Sequence, residues 1–376
     1  MNLIKLNNYI PLLILLCNFS CGQENLPIID VPEKISYSYE IFVDDIEIPW
    51  GMAFINKSDL LVTEISGTLY RIKNGKKTKV NGLPEIYYRG QGGLLDIALH
   101  PSFYENNIIY FTVAANTEGD NKGGNTALYC GELDENDLKN IKLLYKAKPN
   151  SKKGQHWGSR IVFDKKGNVY FGIGDRGNRE VNPQDLNRDG GKIYRLKLDG
   201  SIPEDNPFIN KKGAKKAVFS YGHRNPQGMI IHPITGEIWE NEHGPKGGDE
   251  INIIKKGINY GWPEITYGVN YSGTPITNKT KNPKMAQPFY YWVPSIAPSG
   301  MAFSTSGIYK GWKGDLFIGS LKFEYLERLV IKNDKVIKRE KVLDKIGRVR
   351  NVVEGPDGYL YLGVEGKGII KIIPNS

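Results

Sequence analysis

A chain of 376 residues with 40% hydrophobic and 24% charged residues has an ordinary globular composition and is long enough for one large β domain or two smaller ones. Its net charge of +9 gathers in turn-like runs such as KNGKKTK and KKGAKK. These lack interleaved aromatics or a nucleic-acid-binding module, so a solvated surface is expected and nucleic-acid binding is excluded.

The chain opens MNLIKLNNYIPLLILLCNFSCGQEN. A lysine precedes an apolar run over residues 10–16, followed by small and polar residues. That is the pattern of a secretory signal, too short for a permanent membrane span. Cys21, between Ser20 and Gly22, resembles a bacterial lipoprotein cleavage site, with Asn18 where an aliphatic residue is usual. The expected organisation is a signal peptide over 1–21 with Cys21 lipidated, a polar linker over 22–36, and a folded domain over 37–376. Such a chain is exported and held by its lipid in the periplasm, or at the outer membrane or cell surface. Plain secretion is the alternative. Cys130, in ALYCGEL, is the one cysteine of the folded part, which rules out a disulfide framework there and suits a small buried hydrophobe.

One phrase then recurs: an apolar strand, a short polar turn, a second strand, another turn, a third strand. It starts at Gly51 (GMAFINKSDLLVTEISGTLYRI), Gly92 (GGLLDIALHPSFYENNIIYFTVAAN) and Gly158 (GSRIVFDKKGNVYFGIGDRG). It returns at Pro226 (PQGMIIHPITGEIWENEHGP), Pro298 (PSGMAFSTSGIYKGWKGDLFIGSLKF) and Val349 (VRNVVEGPDGYLYLGVEGKGIIKII). Period-2 alternation with Gly, Asp or Asn turns predicts strands, and six copies predict an all-β, six-bladed β-propeller with four-stranded antiparallel blades. Long helical patterns are absent, and DENDLKN is expected to form one short helical turn. The final GIIKII strand is expected to complete the first blade and close the ring.

Propellers gather function at one mouth of the channel, where loops beside the inner strands converge. Polar stretches beside strands supply the candidates: RGQGGLLD (Gln91, Asp96), GQHWGSR (His156, Arg160), GIGDRGN (Asp175, Arg176), SYGHRNPQGM (Arg224, Asn225), NEHGPKGGDEIN (Gly244, Pro245, Asp249, Glu250) and GRVRN (Arg348, Arg350). GSLKFEYL adds Lys322. His156 and Asp175 flank one predicted hairpin, whose ends return to the same edge, so an imidazole and a carboxylate meet there, either as a base with its partner or as a packed histidine beside a turn aspartate. The arginines and Lys322 suit a ligand with several carboxylates. His100 and His232 each precede a proline in equivalent repeat positions and are read as turn residues; His223 is read as packing, and His243 is open. Trp157 and Trp292 are each assigned either to the pocket or to the core.

The order and wording of these stretches resemble the soluble glucose/sorbosone dehydrogenase family, also called aldose sugar dehydrogenases, from about residue 48 onward. SYGHRNPQGM and EHGPKGGDEINIIKKGINYGWP are the most specific parts. The resemblance implies a six-bladed propeller that uses pyrroloquinoline quinone (PQQ) and Ca²⁺ to oxidise an aldose sugar at its anomeric hydroxyl to a lactone, with electrons passed to an external acceptor. It implies His156 as general base paired with Asp175, and Gln91, Arg224, Asn225, Lys322, Arg348 and Arg350 around PQQ. It implies backbone carbonyls of Gly244 and Pro245 on one calcium, and Glu250 and the Tyr260 carbonyl, with Asp249, on a second. Gln155 stands where glucose-oxidising members carry an acid, and residues 116–150 lack sugar-contact motifs, so the sugar is left open. A non-catalytic glycan- or protein-binding propeller is the alternative, because one fold hosts many functions. A calcium-dependent lactonase needs a ring of acids around the channel, which this sequence does not offer.

Overall fold

The computed structural model describes residues 26–29, 36–116 and 122–375. The signal-like run and Cys21 lie outside the described residues. The fold is nearly all strand. Blade 1 is built from Pro49–Asn56, Asp59–Glu64, Thr68–Lys73 and Lys76–Val80, each paired antiparallel to the next. Five further sheets follow the same plan, and the first strand of each stands beside its counterparts around a central channel. Those inner strands are Pro49–Asn56, Leu94–Leu99, Ile161–Phe163, Pro226–Ile231, Pro298–Phe303 and Val349–Glu354.

Burial explains the sequence pattern. The strand Asp59–Glu64 is buried along its whole length, because neighbouring blades cover both of its faces. The outer strand Lys76–Val80 is mostly exposed and carries the lysines. Between blades the faces interdigitate: Leu61 and Leu69 of blade 1 pack with Phe111 and Val113 of blade 2, and Tyr361 and Ile369 of blade 6 pack with Met52 and Val62 of blade 1.

Three sequence expectations need adjustment. The ring is closed, but not by the last strand joining the first blade. Gly368–Pro374 stays in blade 6 as its third strand, and the N-terminal strand Tyr37–Val43 pairs with it as the fourth. Blade 1 already has four strands of its own, so the only free edge was on blade 6. DENDLKN forms no helical turn; it is the turn of a hairpin between Asn125–Asp134 and Asp137–Lys146. The one helix among the described residues is Phe103–Asn106. Within the span read as a linker, Ile28–Ile29 adds a short parallel strand to the outer edge of blade 5, opposite Arg339 and Glu340.

One side chain spans the channel. Arg160, on blade 3, donates to Asp96 Oδ1 of blade 2 at 2.9 Å and to the carbonyls of Trp50, Gln227 and Arg350 at 3.0, 2.8 and 3.0 Å. Those carbonyls belong to blades 1, 4 and 6. Arg160 and Asp96 separate a cavity of about 350 Å³ at one end of the channel from the polar end described next.

Candidate active site

The hairpin Ile161–Phe163/Asn168–Ile173 carries His156 ahead of its first strand and Asp175 after its second. Its register brings both to one edge. His156 Nδ1 lies 2.6 Å from Asp175 Oδ1. The surrounding backbone is strained: His156, Ser159 and Arg176 have φ of 59°, 105° and 55°, where side chains are disfavoured. Tight packing holds it there. A Cβ on Gly158 would stand 2.8 Å from the Gly172 carbonyl oxygen.

Four further contacts fix the pair. Gln91 Oε1 accepts the His156 backbone N–H at 2.9 Å. Asp175 Oδ1 also accepts from the Gly177 amide at 2.7 Å, and Oδ2 from the Trp262 indole at 2.9 Å. Asn182 donates to the Asp175 carbonyl at 3.0 Å. The buried guanidinium of Arg176 stacks 3.4 Å from the Trp157 ring centroid and donates to the carbonyls of Lys153 (2.9 Å) and Gln155, clamping the loop that presents His156.

The electrostatics favour a neutral imidazole beside an ionised carboxylate. Burial pushes the His156 pKa below the usual value; Asp175 pulls it back up, and the Arg224 charge pushes it down again. Burial works to raise the Asp175 pKa, but the His156 hydrogen bond, with His156 and Arg224 charge, outweighs it and holds the group below the usual carboxylate range. With Nδ1 committed to Asp175, Nε2 is the nitrogen left for chemistry. His156 lines a cavity of about 400 Å³ with Arg224, Pro245 and Trp262, and Gln155 and Tyr271 at its edge.

A second cavity of about 430 Å³ adjoins it in the channel mouth, lined by Gln91, Trp157, His243, Lys322, Arg348 and Arg350. Arg224 joins the two, donating to the His243 carbonyl at 2.9 Å while its buried Nε has no partner. Arg348 and Arg350 share one carboxylate, Glu365. Lys322 makes no ion pair among the described residues; its ammonium lies 4.9 Å from the Phe323 ring centroid. Asn225 lines neither cavity. It is buried behind them, with its amide 3.4 Å from the Gly158 N–H and 3.5 Å from His243 Nδ1.

The carbonyl-rich loop after His243 is tightly folded. A Cβ on Gly244 would come within 2.2 Å of the Gly248 carbonyl oxygen and 2.5 Å of that of Gly247. The Pro245 carbonyl accepts from Ser295 at 3.1 Å. Asp249 spends one carboxylate oxygen on the Gly244 amide (2.7 Å) and the other on the Ala297 amide (2.8 Å), which makes it the brace of this loop. Burial pushes its pKa up to about 6, against those hydrogen bonds. Glu250, half-buried, stands across the strand pair from Glu242, and Glu240 across from Asn252, so three carboxylates form one cluster, two of them buried. His223, stacked on Tyr260 at 4.6 Å, completes it; its Nδ1 and the oxygens of Glu240 and Glu242 lie within 4.8 Å of one another. Burial, then neighbouring carboxylates, raises the pKa of Glu240 and of Glu250 well above the usual range.

The open assignments resolve. His100 Nδ1 accepts the Ser102 amide and His232 Nδ1 that of Thr235, both within turns. His223 packs between Ser220, Glu242 and Tyr260, and His243 turns its Nε2 to the Pro298 carbonyl at 2.7 Å. Trp292 is core, with its indole on Glu327. Sequence reasoning passed over Trp262 and Glu365. Trp262 stands in the quoted stretch NYGWP, but nothing in the spacing points it at Asp175. Glu365 lies in a turn phrase, GVEGKG, that reads as hairpin chemistry.

Comparison with known proteins fits this arrangement. The family model for glucose/sorbosone dehydrogenases matches residues 46–371. The chain is 40% identical over 348 residues to aldose sugar dehydrogenase YliI of Escherichia coli strain K12, covering 90% of this chain and 93% of that protein. The crystal structure of the soluble aldose sugar dehydrogenase from Escherichia coli, in the apo-form, superposes with a TM-score of 0.87 at 37% identity, over 90% of this chain and 100% of that one. The PQQ-bound form of the aldose sugar dehydrogenase from Streptomyces coelicolor superposes with a TM-score of 0.73 at 27% identity, over 91% of this chain and 99% of that one. These matches set aside the non-catalytic alternative: the chain is a sugar-oxidising propeller enzyme and belongs to the glucose/sorbosone dehydrogenase family.

Proposed function

We propose that this chain is a PQQ- and calcium-dependent dehydrogenase that oxidises an aldose at its anomeric hydroxyl to the lactone and delivers the electrons to an external acceptor. The observation that carries the proposal is the His156–Asp175 pair at 2.6 Å, opening on a cavity that adjoins a second one lined by cations.

The residues present fit both groups. PQQ is a planar quinone with three carboxylates. Lys322, a cation without an ion pair among the described residues, lines the 430 Å³ cavity with Arg348 and Arg350, and Arg224 offers an orphaned buried Nε from the His156 cavity. Gln91 stands at the junction, holding the His156 backbone and facing the cavity. Asn225 acts from behind, as a prop under the hairpin. For calcium, the crowded carbonyls of the 244–248 loop are the oxygen donors the ion prefers, with Gly244 and Pro245 as the first choice. Asp249 serves this site as a brace. A second calcium suits Glu250 and the Tyr260 carbonyl, where the neighbouring buried Glu240 and Glu242 call for positive charge. Bound together, PQQ supplies a two-electron acceptor for hydride and calcium a Lewis acid that polarises it.

The protein residues do the rest. Asp175 fixes the His156 tautomer so that Nε2 carries a lone pair, and Nε2 takes the proton of the anomeric hydroxyl as the C–H pair leaves as hydride. Trp262 and the Gly177 amide keep Asp175 ionised and aimed. Gln155 and Tyr271 stand where the sugar enters and are placed to choose among sugars. The proposal includes export with a lipid on Cys21, which mass spectrometry of the mature N-terminus tests.

Titration of the purified chain with PQQ and Ca²⁺, followed by dye reduction over a panel of aldoses, tests the activity. Expected are PQQ binding and turnover, with binding retained and turnover lost in His156→Ala. Absence of both PQQ binding and turnover with every aldose overturns the proposal, and lactone hydrolysis without PQQ would replace it.

A further inference from the structure

Arg348 and Arg350 flank the first residue of the inner strand of blade 6, two like charges side by side. Glu365 holds both, beside the Leu321 carbonyl, which accepts from Arg348 Nη1 at 2.9 Å, and the Gln227 side-chain oxygen, 3.5 Å from Arg350 Nη1. Arg348 Nε donates to Glu365 Oε2 at 2.6 Å; Arg350 donates to Oε1 through Nε at 3.0 Å and Nη2 at 2.5 Å. Glu365 is anchored in turn: its backbone N–H donates to the Arg348 carbonyl at 3.0 Å, in the turn after Leu360–Val364, whose last residue pairs with Val349. Burial works to raise the Glu365 pKa, but the two arginines outweigh it, so the carboxylate is ionised at neutral pH. Position decides what this carboxylate does. Arg348 and Arg350 line the 430 Å³ cavity, whereas Glu365 does not. The acid sits behind the guanidinium groups and leaves the cavity side open to an incoming anion.

We propose that Glu365 is a positioning residue for cofactor capture: it locks Arg348 and Arg350 in the orientation in which their remaining N–H groups meet carboxylates of the bound quinone. This rests on the PQQ reading given above. The alternative role is that of a rival anion that occupies the arginines until the cofactor displaces it. The two roles predict opposite signs. Removing a rival negative charge makes the cavity more positive and tightens binding of a tricarboxylate. Removing a brace lets two long side chains wander, and ordering them again weakens binding.

The test is a direct titration of the calcium-loaded, full-length chain with PQQ, read by quenching of tryptophan fluorescence or by calorimetry, with no turnover needed. Glu365→Ala removes the anchor the two arginines share, leaving Arg348 its Leu321 carbonyl and Arg350 its Gln227 contact, and is expected to weaken PQQ binding by about tenfold, the scale of one lost charge-assisted contact. Glu365→Gln keeps an oxygen for Arg350 but turns an amide N–H₂ toward Arg348 Nε, so it frees only Arg348 and loses less. In a chain carrying Arg348→Ala, Glu365→Gln is then expected to change the affinity by less than about twofold, because its effect acts through the missing arginine. Equal or tighter binding by Glu365→Ala overturns the proposal. So does a Glu365→Gln loss that persists undiminished in the Arg348→Ala chain. If Glu365→Ala does not fold, the Gln series alone decides by the same criteria. Wild type that fails to bind PQQ removes the cofactor reading and this inference together; wild type that binds beside a Glu365→Ala chain that binds equally well removes only the role of Glu365.

Discussion

Trp262 donates its indole N–H to Oδ2 of Asp175 across 2.9 Å, from 87 residues further along the chain. With His156 on Oδ1, both carboxylate oxygens of Asp175 are engaged and the group has one orientation. Asp175→Asn presents an amide N–H₂ to one of these donors and loses the charge. Turnover is expected to fall by roughly 10²-fold or more, the scale of a misdirected general base, with PQQ affinity changed little. Trp262→Phe keeps the packing and removes one hydrogen bond; a loss of about tenfold in kcat is expected. Steady-state kinetics beside a PQQ titration separate the two effects, and an equal loss of cofactor binding would contradict this assignment.

The pH profile follows from His156. Its base form is the neutral one, and burial holds its pKa below the usual 6.5. Activity is therefore expected to be flat through neutrality and to fall, with a slope of one proton, only as the pH drops through that lowered value. Asp175 raises the His156 pKa, so Asp175→Asn moves the acid limb to still lower pH. A limb above pH 7 in wild type, or one that does not move in the variant, argues against His156 as the titrating base.

Arg176 offers a test of preorganisation away from the reacting atoms. Its fork joins the Lys153 and Gln155 carbonyls while its face covers Trp157, so a flat, multi-donor cation is required. Arg176→Met is expected to cost about 2 kcal/mol of stability and to lower kcat, and Arg176→Lys to recover little of either. Chemical denaturation and kinetics on both variants check this. Full recovery by lysine would reduce the role of Arg176 to charge alone.

Arg160 and Asp96 are 4% and 6% exposed, and their pairing ties the channel together. Arg160→Met leaves Asp96 without its counter-ion, and a loss of roughly 3–5 kcal/mol is expected. Combining it with Asp96→Asn removes the stranded charge and is expected to restore part of the loss. Urea unfolding of the two single variants and the double variant measures the coupling; simple additivity would show that the pair is not the reason.

Chelation probes the oxygen-rich loop. Removal of divalent ions by a chelator is expected to lower the thermal midpoint and abolish PQQ binding, with Ca²⁺ restoring both better than Mg²⁺, since flexible carbonyl donors suit the larger ion. Restoration by Mg²⁺ alone would point to a different metal.

The blades and the His156–Asp175 pair were readable because both are local. Each blade repeats a phrase with its own turns, and His156 and Asp175 sit at the two ends of a single hairpin, where period-2 pairing returns them to one edge. The cationic cavity was readable only in part from the inventory: Arg348, Arg350 and Lys322 line it, whereas Arg160 ties the blades together and Arg176 clamps the His156 loop. What the sequence hid is long-range. Trp262 reaches Asp175 from the excursion between Asp249–Ile254 and Tyr290–Trp292, and no periodicity encodes that reach. Glu365 looks like a turn residue until its strand is paired with the one after Arg348. The family resemblance implied Asn225 beside the cofactor, but its side-chain oxygen faces the Gly158 amide and it lines neither cavity.

Ring closure has a consequence in time. The strand Tyr37–Val43 is synthesised before blade 1, and its partner Gly368–Pro374 only after blades 1 to 5. Ser38 and Asn375, 337 residues apart, meet at 3.1 Å only once both have been made. A nascent molecule thus carries one early strand with no sheet to join, and the sixth sheet lacks an edge until Gly368–Pro374 emerges. Both are sticky for as long as translation lasts. A stop codon ahead of Gly368 would leave Tyr37–Val43 without a partner as surely as it cut the sixth blade short.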